Sequence, residues 1–477
     1  MQCNTPGVCA APVLKTAYVR RRCCESVQIE ARIGSRAGAS RMRLHCFLQR
    51  YDLSSLVHLT LRLGTLVLRF ALTFHIVRVL GYEAAGVYGL AVGAIGIVPA
   101  AIGWGLNYFL ARDIVGIPVS NAAALLKSRL TVTVATLVVG LCVGSAVLLW
   151  LDVSWTGLVG LIALLVVFET IGLDIHMPLL SRDKGRLANV LVFVRSALWV
   201  PFLIGGGYLL PQLNSLTALF AFWIAAHLVA LAILVVAVPR PLLARTWRAP
   251  LRRDWIRDRL RHSWTIYLSD VGLVGTLFAD RYIVTALLGI EMTGLYTFYW
   301  SLTNALQTLV TTAVVQILFP SIVRTFADGD ARLLRATLKR QTIRISLIAA
   351  AMGIGVLAFG ELAAVLLPGH DMTGSRGVFL CLVLAAVVRT VSELLNLGLT
   401  AMHKDNHYAA FNVAGIVLSL AMAYVLISTL GFLGVGIASL TTATVLLLGR
   451  AVFIDRLLRH ADGAASSLRV EYAKPGA

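Results

Sequence analysis

Long apolar runs recur along most of this chain, and that pattern leaves few folds open. A helix needs about 20 mostly apolar residues to cross the hydrocarbon of a bilayer, whereas a barrel strand needs only about 9–11. In lipid every backbone N–H and C=O must be satisfied within the protein, so a spanning segment is a helix or part of a closed barrel. The runs fall at 55–79, 86–110, 130–151, 155–178, 187–210, 214–238, 263–288, 293–319, 343–367, 375–402, 407–429 and 432–454. They are too long for barrel strands. The expected fold class is an all-α polytopic membrane protein with about twelve transmembrane helices.

Charge supports this count. Only 14% of residues are charged, against about a quarter in a soluble domain. The net charge of +19 is spread over alternate connections rather than gathered in a basic globular domain, which argues against nucleic acid. One set of connections, with the two tails, holds 33 Lys and Arg, and the opposite set holds only Arg376. Such an alternation predicts both termini on the cytoplasmic side, in a cell's plasma membrane. The boundaries expected are a basic disordered tail over 1–54, an N-lobe over 55–238 with helices 1–6, and a basic linker over 239–262. A C-lobe with helices 7–12 follows over 263–457, then a cytoplasmic tail over 458–477. The tail has no apolar core of a signal peptide, and Met42 is a second candidate start.

An internal repeat supports two six-helix lobes. Leu80-Gly81-Tyr82-Glu83-Ala84-Ala85-Gly86-Val87-Tyr88 matches Leu288-Gly289-Ile290-Glu291-Met292-Thr293-Gly294-Leu295-Tyr296 in the pattern L-G-x-E-x-x-G-x-Y. Each copy falls between the first and second helices of its half. Six helices separate them, so the halves are parallel repeats related by an axis along the membrane normal.

Polar residues inside the runs are the candidate site, because a charge in the hydrocarbon is costly and faces the bundle interior or water. The first helix carries His58, Arg62, Thr65, Arg69 and Thr73 on one face. Two arginines on that face form a cationic track suited to an anion, although Arg62 is near enough to the end of the run to snorkel. The seventh helix carries Ser269, Thr276 and Asp280, with Arg281 pointing to another side. The eighth carries Trp300, Asn304, Gln307 and Thr311, a set suited to sugar faces and hydroxyls or to interhelical hydrogen bonds. The tenth carries Arg389, Glu393, Asn396 and Thr400, with Arg389 and Glu393 spaced for an i,i+4 pair. Arg195, and Glu169 with His176, extend the set. The cationic lumen expected is Arg62, Arg69, Arg195, Arg281 and Arg389. His58, Asp280, Glu393, Asn396, Trp300, Asn304 and Gln307 are expected to line it or to couple transport. The seven cysteines have no zinc spacing, and there is no Walker or nucleophile-elbow motif, so no metal, cofactor or catalytic residue is expected.

Asp280-Arg281-x(6)-Leu288-Gly289-x(4)-Gly294-x-Tyr296, then Pro320 and Arg324, together with Gly431-x-x-Gly434-x-x-x-Ala438, resembles the polysaccharide-transporter branch of the multidrug/oligosaccharidyl-lipid/polysaccharide exporter superfamily. The likeness covers about residues 55–455 and is similar to the Wzx-type lipid-linked oligosaccharide flippases. It implies a two-lobed, V-shaped, alternating-access transporter. Its cargo would be a polyprenyl-diphosphate-linked glycan, used for O-antigen, capsule or exopolysaccharide, in a bacterial inner membrane. A polysaccharide polymerase and glycosyltransferases of the same pathway would be its partners. The chain departs from the multidrug branch in having arginines and no carboxylate on its first helix. The alternatives are a cation-coupled small-solute or drug antiporter using Asp280 and Glu393, or a membrane glycan polymerase or glycosyltransferase. The longest outer connection, about 368–374, is short for such an enzyme.

Overall fold

The computed structural model describes residues 53–472 apart from positions within 151–155, 240–245, 312–330 and 367–374, and residue 403. The tail up to residue 52, the outer connection at 368–374, Pro320 and Arg324 therefore lie outside the described residues. The chain divides into two compact units, 1–61 and 62–477, and all packing described here lies within the second.

The elements are α1 (Leu53–Gly103), α2 (Leu106–Asp113), α3 (Val119–Trp150), α4 (Gly157–Ser181), α5 (Gly185–Phe193), a π-helical turn (Val194–Leu198), α6 (Val200–Leu209) and α7 (Leu216–Ala237). After the linker come α8 (Arg253–His262), α9 (Trp264–Phe278), α10 (Asp280–Leu288) and α11 (Ile290–Val310). They are followed by α12 (Ala331–Leu366), α13 (Arg376–Ala401), α14 (Asp405–Leu430) and α15 (Phe432–Tyr472). Ten helical stretches among the described residues are long and apolar enough to cross a membrane. One of them, Thr60–Gly103, holds two spans, since α1 breaks at Gly81 (φ 85°, ψ 178°). Its two arms lie side by side, Thr73 of the first and Tyr88 of the second lining one cavity. With α11, which is 21 residues long but rich in Thr, Asn and Gln, the total is the twelve expected. Large apolar side chains such as Val138, Leu347, Ile354, Val417 and Leu448 are exposed on the helices, as lipid-facing positions are.

Several helices overrun the apolar runs that announce them. The α3 helix starts at Val119, α12 at Ala331, and α15 continues to Tyr472. Nothing obliges a helix to stop where the hydrocarbon does, so polar turns extend the spans. One consequence bears on the 33 basic residues assigned to the cytoplasmic connections, of which Arg129 is one: it lies inside α3 and is buried.

The repeat has a structural counterpart. Gly289 (φ 89°, ψ 174°) takes the same conformation as Gly81, one that L side chains rarely adopt. Neither glycine has an atom within 4 Å of where a Cβ would lie, so the backbone, not space, requires glycine there. The second glycine of each copy is needed for closeness. A Cβ on Gly86 would lie 2.1 Å from the Ile290 carbonyl oxygen, and one on Gly294 would lie 1.8 Å from that of Tyr82. Tyr82 and Ile290 are equivalent positions of the repeat, and so are Gly86 and Gly294. Each contact is therefore the other with the copies exchanged, the signature of a local two-fold. This meeting of the motifs sets the second arm of α1 against α10 and α11.

Candidate functional site

Three arginines converge beside that meeting point. A cavity of about 320 Å³ is lined by Arg62, Thr65, Arg69 and Thr73 of the first arm of α1, Tyr88 of the second, Phe278 and Arg281, and Trp300, Asn304 and Thr308 of α11. The polar stripe of the first helix thus faces one space from Arg62 onward. His58 is helical, but its side chain lies outside the described residues.

Arg281 lies at the centre of the arrangement and is fully buried. Its Nη1 donates to the carbonyl oxygen of Gly89 at 2.9 Å. The guanidinium carbon sits 4.1 Å from the centre of the Trp300 ring and 5.1 Å from that of Phe278, a cation–π pocket. A Cβ on Gly89 would lie 2.0 Å from Thr297 Oγ1, so glycine there lets α11 pack closely on the second arm of α1. Nε and Nη2 of Arg281 have no hydrogen-bond partner. No carboxylate pairs with it among the described residues. The adjacent Asp280 turns away, one oxygen accepting from the Tyr296 hydroxyl at 2.5 Å and the other without a partner. Arg69 makes one long hydrogen bond, Nε to Ser196 O at 3.4 Å.

A second cavity, of about 260 Å³, lies within the C-half between α9, α11, α13, α14 and α15. Asn304, Gln307, Arg389 and Glu393 line it, with Asn412 and Arg450. Asn304 and Thr308 line both spaces, so α11 is their common wall. Arg389 donates to Ser439 Oγ at 2.8 Å, in place of the expected bond to Glu393. Arg450 donates to Ser392 Oγ at 2.8 Å and to Asn412 Oδ1 at 3.0 Å, and Asn412 donates on to Ser269 Oγ at 2.9 Å. Asn396 is fully buried and lines neither space. The sequence reading passes over Arg450 because it sits near the end of its run, where an arginine usually snorkels.

Arg195 stands apart. The π-helical turn carries it against Glu169, Nη1 to Oε2 at 3.1 Å. The same oxygen lies 2.8 Å from His227 Nε2. His227 Nδ1 faces the Trp223 carbonyl at 3.0 Å, so Nδ1 is the donor there and the Nε2 contact needs a proton on one of its two atoms. Gly172 admits the arginine, since a Cβ would lie 2.1 Å from its Nη1. With His176 and His227, Arg195 lines a small cavity of the N-half, about 110 Å³, and its charge is paired by Glu169. A further buried pair has no counterpart in the sequence reading. Arg129 meets Asp174 at 2.8 Å, both almost wholly buried, with Asn107 and Thr133 completing the cluster.

The sequence matches no protein-family model and no curated protein. Its fold, however, matches solved transporter structures. An inward-facing multidrug resistance MATE family transporter of the MOP superfamily aligns over 83% of this chain and 96% of its own, with TM-score 0.68 and 16% identity. The lipid II flippase MurJ in an inward closed conformation aligns over 84% and 88%, with TM-score 0.66 and 10% identity. An outward-facing MATE family transporter aligns over 85% and 95%, with TM-score 0.52 and 13% identity. The chain thus has the all-α, multi-pass fold of MOP-superfamily transporters; the apolar runs lead one to expect the helical class, and the resemblance implies the superfamily's fold.

Proposed function

We propose that the protein is a flippase that carries a polyprenyl-diphosphate-linked oligosaccharide across a bacterial inner membrane, cytoplasmic to outer leaflet, by alternating access. Arg281 carries this reading. It is a fully buried guanidinium with two unpartnered nitrogens, in the wall of a cavity that also holds Arg62 and Arg69. A buried cation without a counter-ion is strongly unfavourable unless a ligand supplies one. A diphosphate shedding its water needs several fixed charge-assisted donors. Trp300 and Tyr88 offer faces to sugar rings, and Asn304 and Gln307 offer amides to hydroxyls. The shared fold with a lipid II flippase supports a lipid-linked glycan as cargo. The pathway's polymerase and glycosyltransferases would be the partners, and both termini would be cytoplasmic.

A second reading, a cation-coupled antiporter, draws on the MATE-like fold and on Glu393 in the C-half cavity. Three arginines around the neighbouring space repel a cationic drug, which favours the first reading. The test is deletion of the gene, complemented by wild type, Arg281→Ala, Arg281→Lys or Arg69→Ala, with analysis of surface glycan and the polyprenyl-linked pool. Wild type restores the glycan. The two alanine variants insert but strand the lipid-linked unit inside, and Arg281→Lys, which lacks the planar fork, restores it poorly. Unchanged glycan with altered drug sensitivity on deletion would favour the antiporter. A unit that reaches the outer face unpolymerised would favour a polymerase.

A further inference from the structure

The linker between the halves is strapped to the N-half by one face of α8 and leaves the opposite face bare. Asp113, at the end of α2, accepts from Arg259 Nε at 2.9 Å and Nη2 at 3.2 Å, and from Trp255 Nε1 at 2.7 Å. Lys127 Nζ donates to the carbonyls of Trp247 and Ala249 at 2.7 and 2.8 Å, and the Arg252 amide donates to Ser128 Oγ at 2.9 Å. At about 100° per residue, Trp255 and Arg259 point one way, and Arg253, Arg257 and Arg261 fall in an arc of about 80° centred on the opposite side. These three are exposed, and no carboxylate pairs with them among the described residues. They lie about 6 Å apart along the axis.

The place of this stripe is fixed by its neighbours. One residue, Ser263, separates α8 from the span that begins at Trp264. Trp247 is 82% exposed and Trp264 54% exposed, one on each side of α8, and tryptophans mark the headgroup level of a bilayer. Ile256 and Leu260, half-buried, lie on the flank of the stripe. A row of unpaired arginines at headgroup depth complements anionic phosphates. We infer that the Arg253–Arg257–Arg261 face of α8 docks on anionic phospholipid headgroups, anchoring the linker to the leaflet. This inference does not depend on what the transporter carries.

The probe is phosphatidylglycerol. Purified full-length protein is titrated with fluorescent phosphatidylglycerol in detergent against unlabelled phosphatidylcholine, and the triple variant Arg253→Gln/Arg257→Gln/Arg261→Gln is compared with wild type. At about fivefold per arginine near a charged surface, the preference for phosphatidylglycerol falls tenfold or more in the variant. It also falls with added salt in the wild type. Lys339→Gln/Arg340→Gln/Arg344→Gln, which removes equal charge from exposed positions of α12, retains the preference. An equal loss in that control, or displacement of the lipid by soluble glycerol phosphate at similar concentration, would overturn the inference. If the triple variant does not stay monodisperse, the single Arg257→Gln variant and the wild-type salt dependence decide it. A wild type without preference at low salt sinks it outright.

Discussion

Replacing Gly294 with alanine should loosen the contact between the two repeat motifs. The added carbon would lie 1.8 Å from the Tyr82 carbonyl oxygen, 2.6 Å from its carbon and 3.0 Å from the Gly86 nitrogen. All three are backbone atoms, so no side chain can swing aside. Restoring a carbon–oxygen separation of about 3.3 Å needs a shift of roughly 1.5 Å between the second arm of α1 and the start of α11. Overpacking of this kind costs about 1–3 kcal/mol. If the shift opens the junction, the open population rises about five- to 150-fold. The assay is labelling of Thr297→Cys, a buried position against Gly89, by a membrane-impermeant maleimide on whole cells lacking the native cysteines. In the Gly294→Ala background the labelling rate rises by that factor. Gly86→Ala, 2.1 Å from the Ile290 oxygen, does the same, and the two together add less than their sum because they disturb one contact. Gly355→Ala, with open space at its Cβ, leaves the rate alone. Wild-type labelling in Gly294→Ala at normal expression would refute the idea that this junction holds the two copies together.

Three further outcomes follow from the buried polar groups. Arg129→Leu strands Asp174 in the N-half and should cost about 3–5 kcal/mol, read as loss of monodisperse protein after heating, with Arg129→Leu/Asp174→Leu recovering most of it. Gly172→Ala drives a carbon into Arg195 Nη1, which Glu169 already holds, and should lower heat resistance by about 1–3 kcal/mol. Trp300→Ala removes the ring under Arg281 and should weaken glycan export, while Trp300→Phe keeps a π face and most of the activity; equal loss in both would count against the stacking.

The fold was legible because its signals are local. Length and hydropathy of each run report a span. The Gly81 and Gly289 motifs could be read as hairpin turns, yet nothing in either shows that the two copies touch each other. The first-helix stripe was equally legible, because a polar row in lipid must find a cavity, and Arg62, Thr65, Arg69 and Thr73 all do. The seventh helix misleads for a geometric reason. Ser269, Thr276 and Asp280 share a face by spacing, but Ser269 bonds Asn412, Thr276 lines the C-half cavity and Asp280 bonds Tyr296. The cationic cavity lies on the other side, where Phe278 and Arg281 point. Pairing is likewise invisible in one dimension: Glu169 meets His227 and Arg195, far along the chain, rather than His176 two turns away.

The buried arginines separate by what answers their charge. Arg129 has Asp174 and Arg195 has Glu169. Arg450 has Ser392 and Asn412 as acceptors, with Glu393 lining the same space. Arg129 and Arg450 each keep one nitrogen without a partner, but all three are held mainly by side chains of the folded chain, and a group so held gains little from a ligand. Arg281 has one carbonyl and an aromatic face, neither of which neutralises it. Among the described residues Arg281 is left with two unpartnered nitrogens, against one each on Arg129 and Arg450, and it stands at the junction where the two copies of the repeat meet. An anion bound there would complete the site and bridge both halves, since Arg62 and Arg69 come from one copy and Arg281 from the other. Ligand binding and the state of the junction are then coupled by construction, because moving the copies apart separates the cations that hold the anion.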